Sequence, residues 1–299
     1  MNYPLWVLTL RIRRIKGKEH KTRYKEKLGI CLPKPPKKNV IWVNALGLGE
    51  TLSLTFFLQE LAKKFDNHTI LFTSSTLQSQ LALEKIPLRK NIIHQFSPVD
   101  NHYAVNRFLK HWNPKISLFS ELDIWPFRIM ELKKRKKPLL LFNSRMNETK
   151  KKSRKKLGKI FSEPLKAFDH IYLQDEKSKT HFLELGVEEK KIKVCGPIKS
   201  AGTIFSDTNV IEKKIRSTMQ NKIFWTAASL HESEENEILE AYKLAKRELP
   251  NLVLIIIPRS IELSETTMRK SMEYSSFVRY RSQKSDMPNK NTEIFVIGR

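Results

Sequence analysis

Val40-Ile-Trp-Val-Asn-Ala-Leu-Gly-Leu-Gly-Glu-Thr51 is the stretch that decides the fold. Its first four residues are β-branched or aromatic, which suits a strand. Glycines at 47 and 49 then interrupt the run, and from Thr51 apolar residues recur every three or four positions, the spacing of an amphipathic helix over 51–65. A strand that passes through a glycine-bearing turn into a helix is the opening of a βα unit. In an open α/β sheet that turn lies at the carboxyl edge, where ligands bind.

The same alternation runs outward from this unit. Short β-rich runs at 69–72, 91–94, 116–119, 138–142, 170–173 and 191–194 follow, with helical spacing at 103–112 and 177–185 between them. This pattern predicts an α/β fold with a parallel sheet, seven strands completing a first domain over 39–215. It restarts near Lys222: strands are expected at 223–226, 252–257, 277–280 and 294–297, with helices over 234–249 and after Ser260. A doubly wound domain uses about five or six strands. The second domain, 216–299, is therefore expected to be an incomplete Rossmann-like domain.

A chain of 299 residues suits two domains, and 40% apolar with 29% charged residues describes a globular protein with real cores. The formal net charge of +25 favours polyanionic partners: nucleic acid, an anionic membrane face or phosphorylated small molecules. Runs at 133–137 and 150–156 concentrate that charge and read either as solvated faces or as a basic rim for phosphates. The two cysteines, Cys31 and Cys195, form no CxxC pair, and the eight histidines show no metal-ligand spacing. Both thiols read as small buried hydrophobes in a reducing setting.

Residues 1–10 are apolar for too short a stretch to cross a bilayer, which takes about 20 residues. Basic residues run from Arg11 to Lys27, so segment 1–38 is expected to associate with an anionic membrane surface, Trp6 and the leucines lying at the interface. The charge follows the apolar part instead of preceding it, which argues against a cleaved signal peptide. An ordinary first helix with a solvated basic face is the alternative.

Three clusters could carry chemistry. Glu50 stands at the start of the first helix, where a carboxylate is also favoured by the helix dipole. The turn is no dinucleotide fingerprint, since Leu52 occupies the third glycine position. Glu121-Leu-Asp-Ile-Trp-Pro126 follows another strand, so Glu121 and Asp123 can meet Glu50 in one cleft, with Pro126 suited to a helix's first turn. Like-charge repulsion and burial would hold one member of such a group as a base near neutral pH. In the second domain, Ser229-Leu-His-Glu-Ser-Glu-Glu235 opens a helix, and capping accounts for most of it except His231. Arg259 closes the next strand, placed for a phosphate.

Taken in order, Gly49-Glu50-Thr51, Glu121-Leu-Asp-Ile-Trp-Pro126, Asn143-Ser-Arg145, Val194-Cys-Gly-Pro-Ile-Lys199, Ser229-Leu-His-Glu-Ser-Glu-Glu235 and Pro258-Arg259 resemble the bacterial Kdo (3-deoxy-D-manno-octulosonic acid) transferases. The resemblance runs from about Tyr24 to the end of the chain and implies a GT-B type fold of two Rossmann-like domains. It implies transfer of Kdo from CMP-Kdo to the lipid A precursor at the cytoplasmic face of the inner membrane, by an inverting mechanism with no metal and no cofactor. Glu50 matches the family's general base and Glu121 a second acid of the cleft. Gly49, Thr51, Asp123, Arg145 and Lys199 fall at substrate-binding positions, and Ser229, His231, Glu232 and Arg259 in segments that hold the donor. The chain departs from the family at Asp123 (usually Glu), Phe127 (usually Asn), Ala201 (usually Asp) and Ser260 (usually His). The family's glycine-rich turn and its Asn/Glu motif have no counterpart before Arg299.

Two other readings compete. A remnant that binds only the lipid acceptor would keep the first domain's motifs. A nucleic-acid-binding protein would explain the charge, but the chain has no aromatic RNP strings, zinc-finger spacing or evident helix-turn-helix, so nucleic acid is not expected as a partner.

Overall fold

The computed structural model describes residues 3–198, 217–281 and 287–298. It falls into two compact units, Met1–Ile204 and Phe205–Arg299. In the first unit the elements run α1 (Tyr3–Ile15), a 3-10 turn (Arg23–Leu28), β1 (Val40–Asn44), α2 (Leu48–Lys64), β2 (Thr69–Ser74), α3 (Leu77–Leu83), β3 (Ile92–Phe96) and α4 (His102–Trp112). They continue with β4 (Ile116–Ser120), α5 (Pro126–Lys134), β5 (Leu139–Ser144), α6 (Glu148–Lys155), α7 (Lys159–Lys166), β6 (His170–Leu173), α8 (Glu176–Glu184) and β7 (Ile192–Val194).

All seven strands pair in parallel in the order β3-β2-β1-β4-β5-β6-β7. Helices cover both faces, and the strand sequences show why. Along β1, Val40 and Trp42 enter one core with Leu71 and Phe119, while Ile41 and Val43 enter the other with Ile70 and Phe72. Successive side chains alternate between faces, so a strand buried on both must be apolar throughout. Every residue of β1 and β2 is buried. Helix starts are fixed by short polar side chains: Asn101 accepts from the Tyr103 amide, Asn147 from Lys150 and Asp175 from Ser178.

The amino-terminal segment belongs to this unit instead of standing apart from it. Leu10 of α1 is buried with Tyr24 and Leu28, and Tyr3, Trp6, Val7 and Val99 pack around them. Glu26 accepts the Phe96 amide at 2.9 Å and pairs with Arg23 at 2.7 Å, tying the 3-10 turn to the end of β3. Trp6, expected at a membrane interface, is instead partly buried in this contact. The opposite face of α1 shows Leu5, Leu8, Ile12 and Ile15 to solvent. No helix among the described residues is long and apolar enough to cross a membrane.

The second unit carries β8 (Ile223–Leu230), α9 (Glu235–Glu248), β9 (Leu252–Pro258), α10 (Ser264–Ser271), β10 (Val278–Arg281) and β11 (Ile294–Ile297). Its four strands are parallel in the order β10-β11-β9-β8. Leu239 and Tyr242 of α9 pack on Leu254, Ile256, Ile294 and Val296.

Trp42 is fully buried, its ring 4.6 Å from that of Phe108 and 5.1 Å from that of Phe119 by centroid, and its Nε1 donates to Thr73 Oγ1 at 2.8 Å. Trp42→Ala is expected to lower the unfolding free energy by about 3–5 kcal/mol in a urea titration.

Candidate functional site

The strand order sets the site. From β1 the chain steps to β2 and β3 on one side, then crosses back to lay β4 against the other side of β1, with Asn44 beside Phe119. Such a reversal opens a crevice at the carboxyl ends of the two central strands, because the loops leaving them diverge. Glu50 leaves β1 and Glu121 leaves β4, so both sequence-predicted acids fall at this crevice.

Glu50 lies in the first turn of α2, half-buried. Its Oε2 accepts from the Leu46 amide at 2.7 Å and from Ser120 Oγ at 3.2 Å. Burial pushes its carboxyl up to about 7 against the opposing Leu46 hydrogen bond, and the charges of Glu121 and Asp123 push the same way.

Glu121 adopts a left-handed backbone with φ 55°, and Asn143 at the end of neighbouring β5 does the same with φ 53°. For residues with a Cβ that conformation costs roughly 1–2 kcal/mol each. It is held by the Glu121 amide donating to the Phe142 carbonyl at 3.0 Å and by Ser144 Oγ donating to the Glu121 carbonyl. The β5–β6 register shifts between Leu141 and Ser144 at the same place.

Asp123 differs in kind. It is buried, accepts hydrogen bonds from Asn44 Nδ2 and Trp125 Nε1, and lies 3.9 Å from Arg128 Nη1. Burial raises its pKa, while Arg128, Trp125 and Asn44 pull it down. Asn44 passes the network on, its Oδ1 accepting from the hydroxyls of Thr73 and Ser97. Sequence reasoning passed over Asn44 and Ser120. For Asn44 the available signal was a polar residue closing a strand that is otherwise apolar.

The remaining predicted residues scatter. A Cβ built on Gly47 or Gly49 would meet nothing within 4 Å, and Gly47 has an extended backbone with φ −126° and ψ −176°. Neither position therefore requires glycine for its backbone conformation, and the space over Gly49 is open. Thr51, in the first turn of α2, is fully buried. Arg145 is exposed and pairs with Asp175 at 3.3 Å. Lys199 lies outside the described residues. In the second unit, Ser229 has φ 62°, and Arg259 donates to its hydroxyl at 3.4 Å, so the two meet at the carboxyl edge of β8 and β9. His231 caps the 3-10 turn Glu232–Glu234, its amide donating to Glu234 at 2.8 Å, and both His231 and Glu232 are exposed.

Solved structures with this architecture define the class. Over 80% of the chain the fold is similar to UDP-GlcNAc 2-epimerase of Neisseria meningitidis, at 13% identity, TM-score 0.56 and 69% of that chain. It is also similar to a glycosyltransferase of Rickettsia africae, at 14% identity and TM-score 0.50, covering 80% of this chain and 65% of that one. Identities this low speak for the fold alone, a parallel α/β fold of the GT-B glycosyltransferase and epimerase type. The family model described as 3-deoxy-D-manno-octulosonic-acid transferase (kdotransferase) matches residues 22–201, and the chain belongs to that family. It is 28% identical over 296 residues to the 3-deoxy-D-manno-octulosonic acid transferase of Rickettsia bellii, spanning 99% of this chain and 70% of the relative. The corresponding protein of Haemophilus influenzae is 25% identical over 308 residues, spanning 98% of this chain and 69% of its own length.

The shifted carboxyl has a consequence for stability. Native Glu50 holds its proton up to about pH 7, whereas the unfolded chain releases it near the ordinary value of 4.5. The native state thus binds more protons between those values, and stability attributable to this group falls as pH rises through the window. Glu50→Gln removes that fall. The variant is expected to gain on the wild type in unfolding free energy from pH 4.5 to 7 and to keep a constant lead above it, as read by urea unfolding at a series of pH values.

Proposed function

We propose that the chain transfers Kdo from CMP-Kdo to a hydroxyl of the lipid A precursor, with Glu50 as general base. One observation carries this: a carboxyl pushed to about 7 stands at the switch-point crevice beside two further acids. A base works best when its pKa lies near the operating pH. Glu50 would take the proton from the acceptor hydroxyl as its oxygen attacks the anomeric carbon of Kdo. The bond from that carbon to the CMP phosphate breaks as the new one forms, so a single in-line displacement inverts the anomeric centre.

Glu121 would align the acceptor across the crevice and, by its charge, hold the Glu50 proton affinity high. Asp123, being buried, acts as a positioning residue that fixes Asn44 and Trp125. CMP departs as a phosphate monoester, and Arg259, with Ser229 beside it, supplies a cation and a hydroxyl suited to the leaving charge without a metal. The acceptor-binding role belongs in this reading to the first unit and the nucleotide-sugar role to the second.

Membrane association follows from α1. Leu5, Leu8, Ile12 and Ile15 recur at helical spacing on its exposed face, flanked by Arg11, Arg13, Arg14, Lys16 and Lys18. An apolar stripe edged by cations suits peripheral binding to an anionic leaflet, the cytoplasmic face of the inner membrane. The double substitution Leu8→Asp and Ile12→Asp is expected to cut cosedimentation with anionic vesicles about tenfold or more. Unaltered cosedimentation would remove this helix from the membrane contact.

The transfer reaction is tested with purified protein, CMP-Kdo and the tetra-acylated precursor. Glu50→Gln should lower kcat by about 10²–10⁴. Wild-type kcat/KM should rise with pH through about 7 and then level, because the base works only after losing its proton. Turnover should survive a metal chelator. Full activity in Glu50→Gln, or no glycosylated product from folded wild type, would refute the proposal.

A further inference from the structure

Glu50 is held from behind by a line of contacts that ends on a buried lysine. Its Oε2 accepts from the Leu46 amide at 2.7 Å. Leu46 is itself tied down by the Ser75 amide, which donates to the Leu46 carbonyl at 3.1 Å. The Ser75 carbonyl in turn accepts from Lys27 Nζ at 2.8 Å. Lys27, Ser75 and Leu46 come from three separate stretches of chain: the 3-10 turn, the loop after β2 and the loop after β1. Together with Arg13, Glu19 and Arg128 they line a cavity of about 260 Å³ beneath α1.

A lysine is seldom buried unless it is paired, and Lys27 is 5% exposed. Burial lowers its pKa, the Glu19 carboxylate opposes that, and the charge of Arg13 adds to the lowering. Glu19, 3% exposed, accepts from Lys27 Nζ and, at 2.7 Å, from Arg13 Nε. The Phe96 ring centroid lies 5.2 Å from the ammonium. A buried ion pair is weak ground for stability, and its better-attested use is to specify one arrangement. The arrangement specified here is that of Ser75, whose carbonyl takes another of the ammonium's protons.

The far end of the line is sensitive to position. Burial and the charges of Glu121 and Asp123 raise the Glu50 pKa, while the hydrogen bonds from Leu46 and Ser120 lower it. The Leu46 side chain is exposed, so packing does not fix this amide in place. Each link from Lys27 passes through a whole residue and not along one peptide unit. What travels is therefore the placement of the backbone.

We propose that Lys27, clamped by Glu19, is a positioning residue for the transfer, holding the Leu46 amide against the Glu50 carboxylate through Ser75. This rests on the reading of Glu50 as general base, and Lys27 acts without touching substrate. Loosening the clamp weakens the Leu46 hydrogen bond, which stabilises the ionised carboxylate, and so raises the proton affinity of Glu50.

The test is a variant that removes the clamp without changing net charge, Glu19→Leu with Lys27→Met. One carboxylate and one ammonium leave together, so a shift at Glu50 reports geometry and not net charge. The Glu50 titration is followed by NMR of glutamate labelled at its carboxyl carbon, the signal being identified by its loss in Glu50→Gln. In the double variant the midpoint should rise by about half to one pH unit, and the acid limb of kcat/KM should move with it. Lys27→Arg, whose guanidinium has donors enough for both Glu19 and Ser75, should return both to the wild-type values. Should the double variant fail to fold, Glu19→Gln with Lys27→Gln, equally neutral in net charge, should show the same rise. An unshifted midpoint in every folded charge-neutral variant overturns the proposal, even where the urea midpoint falls, because the pair is then purely structural. A Lys27→Arg shift as large as that of the double variant overturns it too. The midpoint is read without turnover, so the two readings fail separately. Glycosylated product with an unmoved midpoint refutes the role of Lys27 alone. A raised midpoint with no product from folded wild type refutes the transferase reading and leaves Lys27 as the residue that holds the Glu50 carboxyl.

Discussion

The hydrogen bond from Ser120 Oγ to the Glu50 carboxylate spans the point where the sheet reverses direction, between the ends of β1 and β4. Those strands are separated in sequence by two complete βα units, and parallel pairing brings their carboxyl ends to one level. The diverging loops leave a crevice that no single strand–turn–helix unit could make. Within it Glu50 is drawn far enough from water, and near enough to two other acids, to hold a proton near neutrality. Without that adjacency Glu50 would be an ordinary acid at a helix start.

Behind the crevice a buried polar network keeps the edge rigid. Trp42 donates to Thr73, Thr73 and Ser97 to Asn44, and Asn44 and Trp125 to Asp123. These contacts join the ends of β1 and β2 to the loops after β3 and β4. A network like this specifies a single arrangement, because a half-made version would strand polar groups in a low-dielectric interior. Its members touch no solvent-facing chemistry themselves. They hold the backbone from which Glu50 and Glu121 project, which is how a site is preorganised.

The first helix shows one element serving two surfaces. Its inner face closes the small core around Tyr24 and Leu28 and roofs the Arg128 cavity. Its outer face keeps an apolar stripe that a fully packed helix would have buried. The acid-bearing crevice, the cavity beneath α1 and the exposed apolar stripe therefore lie on the same unit, with Leu46 shared between the first two.

The amino-acid sequence alone located the eleven strands of the described residues, because strands buried on both faces are almost wholly apolar and short enough to stand out between helical spacings. It also set Glu50 and Glu121 just after strands, where chemistry in such sheets resides. The short helices α3, α6 and α7 were not legible, since runs of seven or eight residues carry too few periods to register, and α6 has no apolar residue to mark a period. Only the tertiary structure decided that β1 lies against β4, and that Asp123 turns inward to a buried Arg128 while Glu50 stays at the crevice. These depend on contacts between residues many positions apart, and local periodicity contains no record of which distant strand becomes the neighbour.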